Sequence, residues 1–222
     1  MSRKFLSGYF REAFGTSHFG DVLLVAVFAM SFSPSEAARN RPYCRFDGKL
    51  VVSNLVKELT AAGNYSTLIA ALKTTDLDKD LPDLFNCYEA TLFAPTDAAF
   101  EELSNDTKKA IKDDKVLREV LLLHVVQKKF TAAELMALPQ GKQLKAAAGG
   151  CKARLVKVSP RGAEPLEVQA KDGPQEASVV AADVISLRVV QVHGVDDVIL
   201  PKSLQKGDGD SLKPSKCLAW RA

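Results

Sequence analysis

His124 and His193 are the residues best suited by type to acid–base work, because imidazole changes charge near neutrality. Each lies inside an apolar run, Leu123-His124-Val125-Val126 and Val192-His193-Gly194, with no nucleophile or carboxylate at a spacing that would complete a catalytic set. The chain has no Gly-x-Ser-x-Gly elbow, no His-Glu-x-x-His and no dinucleotide fingerprint, and Gly141-Lys142 lacks the hydroxyl and spacing of a phosphate loop. His124 therefore reads as a satisfied interior histidine near a helix C-terminus, and His193 as a structural residue of a strand. Asp76, Asp78, Asp80 and Asp83 have an Asp-x-Asp-x-Asp start like that of a calcium loop. Leu81 stands where the turn needs glycine, however, and Cys87 where a bidentate glutamate belongs. Neither a metal site nor a catalytic residue is expected, and no enzymatic activity. The four cysteines, Cys44, Cys87, Cys151 and Cys217, are too far apart for zinc pairs or a Cys-x-x-Cys redox site. Two disulfides are expected, and all three pairings stay open.

The elements that would position these residues follow from periodicity. Val52, Leu55, Val56 and Leu59 share a face of a helix over 50–59, and Leu68, Ile69 and Leu72 one of a helix over 66–73. Residues 75–86, rich in aspartate, read as a loop. Leu92 to Ala94 forms a buried strand stopped by Pro95, which has no N–H to give a neighbour. Thr96 and Asp97 then cap a helix whose apolar face holds Phe100 and Leu103. Further helices are expected over 108–111 and 116–123, and Thr131-Ala132-Ala133-Glu134 is a capping box for another. From Lys142 onward the pattern turns to strands: 143–147, 152–158, 166–170, 178–186 and 188–193. A β-branched run then closes on Pro201, with Asp196 as a turn-former. Helices first and strands later, without alternating units or internal repeats, give an α+β domain in one copy.

Two of these stretches carry a family resemblance. Thr91-Leu92-Phe93-Ala94-Pro95-Thr96-Asp97-Ala98-Ala99-Phe100 resembles the first signature of the fasciclin domain in nearly every position. Val192 to Pro201 resembles the second in His193, Asp196 and Val198-Ile199-Leu200-Pro201, and the Leu-His-Val-Val segment around His124 lies between them. The family residues are thus Thr91, Phe93, Pro95, Thr96, Asp97, Phe100, His124, His193, Asp196 and Pro201. The resemblance covers residues 48–203 and implies a wedge-like β-sandwich flanked by helices. The chain departs from the family at two places: Leu123 replaces the aromatic residue often found before the histidine, and Val189-Val190 replaces the usual Asn-Gly turn.

Outside that span, Arg3, Lys4 and Arg11 precede an apolar run from Val22 to Phe32. As a helix this run reaches only ~17 Å against the ~30 Å of a hydrocarbon core. It reads as a secretory signal, residues 1–37, with cleavage after Ala37. Residues 38–47 are a lead-in, and 204–222 a polar tail without the apolar stretch of a lipid anchor. Asn64-Tyr65-Ser66 and Asn105-Asp106-Thr107 are acceptors for N-glycosylation at Asn64 and Asn105, which agrees with a secreted, extracellular product. The net charge of +3 comes from interspersed lysines and acids without aromatic interleaving, so no nucleic-acid partner and no membrane anchor are expected.

The resemblance implies a non-enzymatic module that binds a cell-surface, matrix or wall component in adhesion. It also leaves a second role, since some algal fasciclin proteins carry carotenoids of the astaxanthin type. This chain is similar to those in length, export signal and sequons. No cofactor is required by either role; a bound carotenoid, held as an apolar small molecule, belongs to the second.

Overall fold

The computed structural model describes residues 46–149, 154–160, 166–173 and 175–205, all within one unit, Arg41–Ala222. The chain opens with three helices, α1 (Gly48–Ala62), α2 (Ser66–Thr74) and α3 (Leu77–Cys87). Asp47 starts α1 by accepting the Leu50 N–H at 3.1 Å. Gly63 ends it in the left-handed region, φ 82°, which glycine occupies without a Cβ penalty.

The helix α3 occupies the stretch that reads as a loop in the sequence. Leu77, Leu81, Leu84 and Phe85 repeat at helical spacing and are buried. The four aspartates and Pro82 conceal this pattern, because proline removes one intrahelical bond. A close helix–helix approach accommodates it: a Cβ on Gly48 would fall 2.0 Å from the Pro82 carbonyl oxygen. Only glycine lets α1 settle there.

Next come β1 (Ala90–Pro95), α4 (Asp97–Glu101), α5 (Asn105–Ala110), α6 (Asp114–Leu123), β2 (Val125–Val126) and α7 (Ala132–Met136). Then follow β3 (Lys142–Lys145), β4 (Leu155–Ser159), β5 (Glu167–Ala170), β6 (Glu176–Ser186), β7 (Val190–Val195) and the short α8 (Lys202–Gln205). The capping box at Thr131 and Glu134 forms in both directions.

The strands are ordered β2-β1-β7-β6-β5-β4-β3. The pair β1 and β7 is parallel, with Phe93 opposite His193 and Pro95 opposite Val195, and every other pair is antiparallel. Eleven residues long, β6 belongs to both halves of the sheet, pairing with β7 on one side and with β5 on the other. Irregularities in its register between Val179 and Ile185 let it bend from one half to the other. At the far edges Val126 pairs with Ala146. Gln127 N–H bonds Lys145 O at 3.0 Å and Ala147 N–H bonds Val125 O at 2.7 Å, so the two outer strands meet. This is the α+β arrangement expected from the sequence, two sheet halves flanked by helices.

The second signature is not all strand. β7 ends at Val195, and Val198, Ile199 and Leu200 run on as buried irregular chain. Two side chains turn it there: Asp196 accepts the Ser178 N–H at 2.7 Å, and Asp197 accepts the Val198 N–H at 2.7 Å. Burial raises the Asp197 carboxyl above its ordinary value. Core side chains, among them Leu55, Leu68, Phe85, Leu121 and Leu92, fill the space between helices α1, α2, α3 and α6 and the face of β1.

Candidate functional site

The signature residues converge on His124. It caps the C-terminus of α6 and is fully buried. Its Nε2 accepts the Ile199 N–H at 2.9 Å, which fixes the proton on Nδ1, and Nδ1–H donates to Val120 O at 2.8 Å. The His124 carbonyl accepts the Phe93 N–H at 2.9 Å. One residue thereby joins the first signature, helix α6 and the second signature. Burial disfavours the charged imidazole and pushes its pKa down to about 4, against a smaller opposing effect of the Val120 carbonyl.

His193 is built the other way round. Its Nδ1 accepts the Asp183 N–H at 3.1 Å, so the proton sits on Nε2 and donates to Phe130 O at 3.0 Å. Its ring lies 5.9 Å from that of Phe93. Burial lowers its pKa too, partly offset by the Phe130 carbonyl and the Asp183 carboxylate. The two histidines are thus held in opposite tautomers, and each accepts a backbone N–H that a second proton would displace. Neither ring nitrogen is left to attack or deprotonate a substrate.

The other signature residues are equally occupied. Thr91 donates to Lys128 O at 2.7 Å and accepts the Phe130 N–H at 2.9 Å, fastening β1 to the chain after β2. Thr96 caps α4 by accepting the Ala99 N–H. Asp97 is a cap as well, but of α2 instead of its own helix. Its carboxylate accepts the Thr67 N–H at 2.7 Å, the Ser66 N–H at 3.2 Å and the Ser66 hydroxyl at 2.9 Å. Burial pushes that carboxyl up, and the hydrogen bonds from Thr67 and Ser66 outweigh it, leaving it below the ordinary carboxylate value. The residue before α2 is Tyr65, which makes no side-chain cap bond, so the acid comes from thirty residues away in sequence. Phe93, Pro95, Phe100 and Pro201 are packing residues, all buried.

Cys87 is half-buried and disulfide-bonded. Cys44, Cys151 and Cys217 lie outside the described residues, as do residues 1–37, expected to be a secretory signal, and the tail from residue 206 onward. Asn64 and Asn105 both lie exposed, the first after the α1 terminus and the second as the opening residue of α5.

Two residues of this region, Asp183 and Tyr65, carry little signal in the sequence. Asp183 adopts φ 52°, a conformation aspartate tolerates better than most residues. Its carboxylate accepts the Gln191 amide at 2.6 Å and the Ala132 N–H at 3.2 Å. The Tyr65 hydroxyl lies where a Cβ on Gly194 would come within 2.3 Å, so β7 needs glycine beside it. The one available hint was an aspartate inside a strand-like run.

Away from the signatures, helices α1, α2 and α3 enclose a groove of about 550 Å³ that opens to solvent. Val52, Val56, Ile69 and Leu72 form its apolar floor, and Lys49, Lys73 and Lys79 stand around it. Among the described residues no cluster of His, Cys, Asp or Glu is arranged to hold a metal, and no helix is long and apolar enough to cross a membrane.

Comparison with known proteins agrees with this geometry. The fasciclin domain model matches residues 63–201, well over half of the chain, and the protein belongs to the fasciclin domain family. A solved FAS1 domain pair from the insect cell adhesion molecule fasciclin I is similar at 17% identity and a TM-score of 0.48. The match covers 63% of this chain and 46% of that one, so the chain spans less than half of its length. No curated protein matches. Helix α1, one wall of the groove, lies before the matched span.

Proposed function

We propose that the protein is a secreted, non-enzymatic binding domain that makes adhesion-type contacts with a cell-surface, matrix or wall component. Family membership supports an adhesion-type role. The observation that carries the non-enzymatic part is the double engagement of both histidines with backbone groups, which leaves the acid–base residues of the signatures no free function. Exposed Asn64 and Asn105 suit an exported glycoprotein. The test is retention of the purified secreted protein on cells and on wall or matrix material. Saturable retention, competed by unlabelled protein, is the expected outcome. A monomer that neither binds nor aggregates such material contradicts the adhesion reading.

The groove between α1, α2 and α3 favours a second reading, carriage of an apolar small molecule such as a carotenoid. Its volume falls within the ~300–1,000 Å³ of small-molecule sites. A visible absorption spectrum of the protein from its native source tests this. A colourless protein that takes up no carotenoid on mixing ends it.

A further inference from the structure

The groove is neither purely apolar nor electrically balanced. Its floor is aliphatic, but a lysine comes from each of the three helices: Lys49 from α1, Lys73 from α2 and Lys79 from α3. Lys79 is paired with Asp76, both side chains being largely exposed, and an exposed pair exchanges partners at little cost. Lys49 and Lys73 form no ion pair among the described residues, and both are exposed. Asp78 is the acid of the wall. Its Oδ1 is buried and takes no hydrogen bond from the described residues, so it is an acceptor awaiting a donor.

We propose that this groove binds a single-chain amphiphile with an anionic head that also bears a hydroxyl. The aliphatic tail lies on Val52, Val56, Ile69 and Leu72. Lys49 and Lys73 hold the anion, and Asp78 Oδ1 accepts the hydroxyl. Size favours such a molecule over a partner's helix, since a helix 10–12 Å across fills roughly 500 Å³ in one 5.4 Å turn. Charge disfavours the chain's own residues 206–222, whose Lys206, Lys213, Lys216 and Arg221 outnumber Asp208 and Asp210. The proposal stands apart from the adhesion reading, and it differs from the carotenoid reading in requiring a charged head.

The experiment is equilibrium dialysis of the full secreted chain against 2-hydroxyhexadecanoate, hexadecanoate and hexadecanol below their aggregation limits. Phosphatidylglycerol vesicles serve as a separate arm. Hexadecanoate is expected to bind at least tenfold more tightly than the equally long alcohol, and the hydroxy acid several-fold more tightly again. Lys49→Gln with Lys73→Gln should lower the affinity for both acids tenfold or more and leave that for the alcohol unchanged. Asp78→Ala should erase the preference for the hydroxy acid, and Ile69→Trp should block all three ligands. Thermal melting checks each variant, and the lysine variants, being surface changes, keep the test open if Ile69→Trp does not fold. Equal binding of acid and alcohol overturns the proposal, as does binding to vesicles without binding of the monomeric acids. Tighter binding after removal of residues 206–222 would assign the groove to the tail and overturn it as well.

Discussion

The joint around His124 and the groove between the first three helices are built on opposite terms. At the joint every polar group has a partner. Histidine Nε2 meets Ile199 N–H, Nδ1–H meets Val120 O, and the carbonyl meets Phe93 N–H. At the groove polar groups are left over: among the described residues Lys49 and Lys73 form no ion pair, and one buried oxygen of Asp78 has no donor. Full satisfaction marks a place where the chain recognises itself, and residual demand marks a place where it can recognise something else. The residues that identify the family are therefore poor guides to the ligand.

The comparison is most severely tested by His124→Ala. The substitution empties a buried site and leaves Ile199 N–H and Val120 O without partners, so a loss of about 3–5 kcal/mol is expected by urea denaturation. A loss below ~1 kcal/mol would mean that the joint does not hold the two signatures together.

Acid should act on the same joint. His124 has its pKa lowered from 6.5 to about 4 in the folded chain, so between those values the unfolded state binds the extra proton and the folded state does not. The stability from this group is complete above pH 6.5 and is lost as pH falls toward 4, by ~3 kcal/mol in all. The lowered pKa of His193 adds to the loss in the same direction. Denaturation midpoints measured from pH 7 to pH 4 check the sign, and a flat profile would contradict it.

A smaller effect is expected for Asp97→Ala. The loss of the cap on α2 should cost about 1–2 kcal/mol and appear as faster amide exchange at Ser66 and Thr67. Exchange that quickened only within α4 would place the cap on its own helix. The smallest effect belongs to the groove. Lys73→Gln should leave stability within ~0.5 kcal/mol by the same denaturation assay, because the side chain is exposed and pairs with no acid among the described residues. A larger cost would show that the lysine is part of the structure and would blur the contrast.

How much of this could be read from the sequence depended on whether the cause was local. The Thr131–Glu134 capping box, the helix around Leu55 and the strand at Leu92 rest on neighbours in the chain, and the structure has them where periodicity and capping place them. Asp97 was recognisable as a cap, yet its target was not, because Ser66 and Thr67 meet it only after β1 has been placed. Helix α3 is not legible in the sequence, because four aspartates and Pro82 outweigh the Leu77, Leu81, Leu84 and Phe85 repeat. The parallel pairing of β1 with β7 and the bend in β6 at Asp183 depend on partners far away in sequence. The groove was hidden for a related reason. Val52, Leu55, Val56 and Leu59 form one apolar face in sequence. The folded molecule divides it, with Leu55 and Leu59 in the core and Val56 turned to the groove.

Both family histidines, His124 and His193, are used up by the backbone, and long-range nitrogen–proton NMR of their rings examines this directly. His124 should appear as the Nδ1–H tautomer and His193 as the Nε2–H tautomer. The His124 ring should stay neutral in the folded protein down to about pH 4. Rings that exchange between tautomers, or that titrate near 6.5 while the fold persists, would show imidazoles free to do chemistry and would contradict it.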